Sequence, residues 1–347
     1  MLLRSKVLMR GLLTASAAIA IAGSAAVAGR ADETAPAERM GLPDRTLEDA
    51  SAYEQFVNKA GGVSSNFADG NAVRRALKTG ASFETQQLQS GEVAYAALLA
   101  LKNSRFVEGV SGLRDQGRTD ELADRLVQDP NFALRLPGAD GAAANAAQVL
   151  SGQGQHVYDT GAAVKQSAYT IQHQAWSRST ITDRAQRLAQ VKTLSQTRVT
   201  STAEEMKRLM TVLSQAPARS LADSGYDAPA PASPVVARGV ALAALAVLGR
   251  ARSIDAQALH GLTSDTASAD CLKLAKLNLY QCLAVAGPRY EDVFCLGEHG
   301  LKETGKCLSK AATARNDGAS GYGASQSAYD PRGGSETAYR AGGWPRP

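Results

Sequence analysis

The chain has 347 residues, 38 Lys and Arg against 33 Asp and Glu, a formal net charge of +5 and 5% aromatic residues. Three of the positive side chains, Arg4, Lys6 and Arg10, fall in the first ten residues, so the remainder carries about +2 (5 − 3), with both signs interspersed. A nucleic-acid binder needs a concentrated basic surface, and none is present. The length allows one large domain or two ordinary ones.

An uncharged stretch rich in Ala, Leu and Ile covers residues 11–29 and ends in Ala26-Val27-Ala28. A basic start, an apolar middle and small residues at the end read as a secretory signal peptide over residues 1–28. The stretch reaches only the lower part of the roughly 17–25 residues of a spanning helix, which leaves a retained anchor as the alternative. The processed chain is expected in the periplasm, or secreted or on the outer surface, with no integral membrane segment.

Strand-forming alternation is nearly absent and helical spacing recurs in almost every segment, so the expected fold class is all-α. Residues 29–44 read as a flexible lead-in and 45–216 as a helical bundle. Its first helix spans 47–60, with Thr46 as N-cap and Gly61-Gly62 as the stop. Further helices are expected over 71–79, over 84–102, from Ser104, and from Thr119 to Pro130.

Residues 138–178 carry a seven-residue pattern. One column is small (Ala147, Gly154, Gly161, Ala168, Ala175) and the other large (Leu150, Val157, Val164, Ile171). Such a seam belongs to a coiled coil in which the small column lets two helix axes approach closely. A weaker seam follows over 181–216, where Lys192, Ser195 and Thr202 intrude. Together they predict a long antiparallel helical hairpin over 138–216, each arm on the order of 50 Å long. Self-association through these helices, or contact with another envelope protein, is the expected kind of partnership.

Residues 217–234 carry four prolines and read as a linker. Residues 235–249 are the most apolar part of the processed chain, but the uninterrupted run of 239–249 is too short to span a bilayer and reads as a buried core helix. That helix and a four-cysteine segment make up 235–315. Residues 316–347 are Gly, Ser, Ala and Arg with spaced Tyr322, Tyr329, Tyr339 and Trp344, the composition of a disordered tail, either inert or able to adhere through its aromatics.

The four cysteines, Cys271, Cys282, Cys295 and Cys307, are clustered and even in number, which in an exported chain predicts disulfides. On one helix over 269–286, Cys271 and Cys282 lie about 16 Å apart, beyond the roughly 7 Å a disulfide allows. Gly287-Pro288 turns the chain back, so the expected pairs are nested: Cys282 with Cys295 and Cys271 with Cys307. One difficulty is that Cys295 and Cys307 sit about 120° apart on an ideal helix, and a break at Gly297, Gly300 or Gly305 is the expected remedy. The result is a C-terminal helical hairpin pinned by two disulfides.

No catalytic signature is visible: no Gly-x-Ser-x-Gly, Ser-x-x-Lys or His-Glu-x-x-His. Cys295, His299 and Cys307 fall short of the four ligands of a structural zinc site, so no metal and no cofactor is expected. Tyr280, Arg289, Tyr290 and Phe294 gather near the hairpin turn, either as a recognition surface, for which aromatics and Arg are suited, or as the segment's own core. The expected function is a non-catalytic structural or protein-interaction component of the cell envelope, such as an accessory of a surface or secretion assembly. A periplasmic ligand-binding protein and a cell-wall-acting enzyme are the alternatives.

Overall fold

The structure, a computed structural model, describes residues 41–215 and 232–313. The expected signal peptide, most of the lead-in and of the linker, and the tail over 316–347 lie outside the described residues. The described residues form thirteen α-helices and no strand, as the helical spacing implied.

Helix α3 (Thr85–Ala100) is the centre, with every residue from 87 to 100 buried. Glu84 starts it by accepting hydrogen bonds from the backbone N–H groups of Gln86 and Gln87 at 2.9 and 2.8 Å, which satisfies donors that a helix start leaves open. Helix α1 (Asp44–Gly61) packs along one side of α3 and α9 (Pro234–Val247) along another. The second of these is the apolar stretch expected to be a core helix, and it is buried nearly all round. No helix among the described residues is long and apolar enough to cross a membrane. Helices α4 (Ser104–Asp115) and α5 (Thr119–Gln128), together with a 3-10 turn at Pro130–Arg135, cover α9.

Two local expectations need correction. Thr46 does not cap α1; the helix begins at Asp44 after Pro43, and Thr46 is buried inside it. Helix α2 (Gly70–Ala81) runs through Gly80, because Asp69 caps it earlier and Gly80 packs against Leu296.

Helix α6 (Ala139–Ile171) is the long first arm of the expected hairpin, and 33 residues give about 50 Å. The second arm is not one helix. It is α7 (Arg184–Gln196) and α8 (Ala203–Gln215), separated at 197–202. The polar residues that weakened the second seam lie around this break. Thr202 and Glu205 form a reciprocal capping box, with Thr202 N–H to Glu205 Oε2 at 2.8 Å and Glu205 N–H to Thr202 Oγ1 at 3.2 Å. Upstream, Gln87 on α3 holds both the N–H and the C=O of Val199, at 2.7 and 2.8 Å. Arg198 reaches the carboxylate of Asp49 on α1 at 2.5 Å. The gap between α7 and α8 is thus fastened onto α1 and α3.

The partner of α6 is the C-terminal segment. Helix α10 (Ala256–Thr263) leads to α11 (Thr266–Val285), then α12 (Arg289–Cys295), a π-helical segment (Leu296–Glu303) and α13 (Thr304–Ala312). The last three run as one bent rod antiparallel to α6. The large column Leu150, Val157, Val164 and Ile171 is buried, as are Gly154, Gly161 and Ala168 of the small column. A β-carbon at Gly154 would collide with the Ser309 amide nitrogen, and one at Gly161 with that of Lys302. The relation is reciprocal: Gly297 and Gly305 lie equally close to the backbone of Lys165 and Tyr158. Four glycines therefore let two helix backbones touch.

Candidate recognition surface

The surface is built on the turn between α11 and α12. The nested disulfides are present, Cys271–Cys307 and Cys282–Cys295, with Cα separations of 5.7 and 5.6 Å. The remedy for the angular mismatch is not a break. The wider π turns, closing i to i+5, take up more residues per revolution and bring Cys307 round to face α11. Gly297 and Gly305 serve the contact with α6 instead.

Pro288 ends the turn in extended conformation immediately before α12, consistent with its fixed φ. Glu291 Oε2 accepts from the Gly287 N–H at 2.7 Å. The loop after α6 clamps the same turn: Ile181 N–H donates to Gly287 O at 2.9 Å, and Tyr290 N–H to Ser177 O at 3.2 Å. Beneath it lies a buried ion pair, Arg187 Nη1 to Asp292 Oδ1 at 2.6 Å, each side chain 5% exposed. Burial pushes the Asp292 carboxyl up to about 6 despite the guanidinium beside it. Arg187 also donates to Leu283 O, so a single side chain ties α7 to α11 and α12.

The C-terminal ends of α6 and α11 and the length of α12 enclose a groove of about 300 Å³. Tyr169, Val285, Tyr290, Glu291 and Phe294 line it, together with both cysteines of the Cys282–Cys295 disulfide. Tyr169 and Phe294 meet edge to face at 6.2 Å, and Lys165 Nζ lies 5.3 Å from the Phe294 ring centre.

The four residues singled out in the sequence divide evenly. Tyr290 and Phe294 line the groove. Tyr280 lies under α7 instead, its hydroxyl hydrogen-bonded to Ser195 Oγ and its ring 5.7 Å from Lys192 Nζ. Arg289 fastens the turn, donating from Nε to Ser179 Oγ at 3.1 Å and packing on Gly70. Two contributors were missed, Tyr169 and Val285. Tyr169 follows the small-column Ala168, so it stands at the rim of the seam. Val285 is the last residue of α11, where only the position of the turn decides what is exposed.

A second polar cluster lies beside Tyr280. Lys276 donates to Ser195 O and stacks 4.3 Å from the Phe83 ring centre, and burial lowers its ammonium to about 8. Ser195, Lys276 and Tyr280 resemble a nucleophile with its activators in type alone. Ser195 is 2% exposed, sealed under α7, so the cluster fastens helices. His299 pairs with Glu303 at 2.9 Å, and its former candidate co-ligands are oxidised in disulfides. Among the described residues no three His, Cys, Asp or Glu converge as for a metal. No protein-family model, no curated protein and no solved structure matches this chain.

Proposed function

We propose that this is an exported, non-catalytic component of the cell envelope that recognises another protein through the groove beside Cys282–Cys295. One observation carries the reading. The four most exposed large apolar side chains among the described residues are Leu274 (51%), Leu277 (46%), Val285 (77%) and Tyr169 (37%). Val285 and Tyr169 line the groove itself, and Leu274 and Leu277 stand on the same helix as Val285. Scattered exposed apolar residues need no explanation, whereas a concentration beside an aromatic-lined groove is the form of an interaction site. Two disulfides favour an oxidising compartment, in keeping with the basic and apolar N-terminal sequence.

The test places a photo-reactive amino acid at Val285 in the chain expressed in its own envelope. The expected result is one discrete adduct heavier than the chain, lost when Phe294→Ala or Tyr290→Ala reshapes the groove. Irradiation that yields no such adduct, with the protein correctly exported, removes the proposal.

A further inference from the structure

The groove beside Cys282–Cys295 is apolar, yet its charges and dipoles share one sign. No Lys, Arg or His lines it, and Glu291 is its single carboxylate. Glu291 Oε2 accepts from the Gly287 N–H, while Oε1 has no hydrogen-bond or ion-pair partner among the described residues. Helices α6 and α11 both end at the groove, the first bringing Tyr169 and Gln172 to it and the second Val285. The last turn of each carries no basic residue, so the negative poles of two helix dipoles stand there without a counter-charge. The opposite pole, at the start of α12, is met by Glu291 and Asp292 in its own first turn.

The aromatic rings act in the same direction. The face of a ring is negative and attracts a cation within about 6 Å of its centre. Phe294 already does so with Lys165 Nζ, whose charge is paired with Glu298 at 2.8 Å. Tyr169 and Phe294 are inclined at 78°, so they make two walls of a corner, and Tyr290 adds a third ring to the lining. A compact ammonium set in a corner meets both walls, whereas a flat guanidinium stacks on one of them.

We propose that the groove takes a lysine side chain presented by the partner protein. Its ammonium lies against the rings and Glu291, and its apolar stem runs along Val285 and the Cys282–Cys295 disulfide, the usual division of a lysine between apolar surface and charge. This deepens the proposed function, on which it rests, by naming the group that the partner offers.

The experiment uses the purified, oxidised chain with isotope-labelled Tyr and Phe rings. It is titrated with the blocked peptide Gly-Gly-Lys-Gly-Gly and with the same peptide carrying norleucine or arginine in place of lysine. The lysine peptide should shift the Tyr169, Tyr290 and Phe294 signals saturably, and the norleucine peptide should bind at least about fivefold more weakly. Glu291→Gln retains an oxygen that can accept from Gly287 and removes the charge. It should weaken the lysine peptide at least about twofold and leave the norleucine peptide unchanged. Phe294→Leu, which keeps an apolar wall without a ring face, should narrow the preference for lysine. Equal binding of the lysine and norleucine peptides, tighter binding of the arginine peptide, or no ring shift with any of the three overturns the inference. The titration needs no partner and the envelope adduct at Val285 needs no peptide, so the failure of one proposal is read apart from the failure of the other.

Discussion

Glu92 stands in the middle of α3 with no solvent exposure, and neither carboxylate oxygen has a hydrogen-bond partner. Burial raises its pKa well above that of a free glutamate, and the charge of Asp265 adds to the effect. The Tyr53 hydroxyl, also fully buried and unpartnered, is raised by burial, by Glu92 and by Tyr95. The folded chain therefore holds a proton on Glu92 that the unfolded chain releases above about pH 4.3. Stability from this site is fully present below that value and is lost as pH rises through the folded pKa, at up to about 1.4 kcal/mol per pH unit. Glu92→Gln keeps the shape without the titration. Urea unfolding at a series of pH values from 4 to 8 should show the Glu92→Gln variant gaining on the parent as pH rises; parallel curves would mean that Glu92 stays charged when folded. Asp292 has the same sign over a narrower window, since its folded value is raised to about 6. Its contribution fades between about pH 4 and 6.

At the scale of helices, the α6 seam separates two kinds of glycine on one element. Gly152 has nothing within 4 Å of where a β-carbon would stand, so Gly152→Ala should stabilise by about 0.5–1 kcal/mol through the unfolded chain alone. Gly161 abuts the Lys302 backbone, and Gly161→Ala should destabilise by about 1–3 kcal/mol, as overpacking does. Equal effects of the two substitutions in urea titrations would refute the close contact. The heptad columns made this seam legible, because a one-sided period shows which face is buried and how near a neighbour can come. They do not show which neighbour. The segment at 181–216 carried a similar period, but Thr202 and Glu205 formed the capping box of α8, and Gln87 and Arg198 fastened the gap. The true partner was hidden because the π segment shifts the phase of 296–303, so its glycines read as a break. The disulfide pairing was legible because helix rise forbids Cys271–Cys282 outright. The groove was half legible, since Tyr169 and Val285 reach it from helices about a hundred residues apart in sequence.

For the whole molecule, the disulfides set the order in which parts come loose. Cys271–Cys307 closes 36 residues and Cys282–Cys295 closes 13. If chain entropy governs, replacing both cysteines of the longer loop with serine should cost about 1 kcal/mol more than replacing those of the shorter one, within the usual 2–4 kcal/mol each. Thermal unfolding of the two double variants decides it, and a larger loss from the inner pair would point to strain or packing at the turn. The longer disulfide has another consequence, a mechanical one. A pull between the two ends of the chain passes from Cys271 to Cys307 across one covalent bond, so the residues between them carry no tension. Their stretched length, on the order of 120 Å, is withheld from any extension. Val285, Tyr290 and Phe294 all lie inside that bypass, so a chain held taut in an envelope keeps these three groove residues on a segment that bears no load.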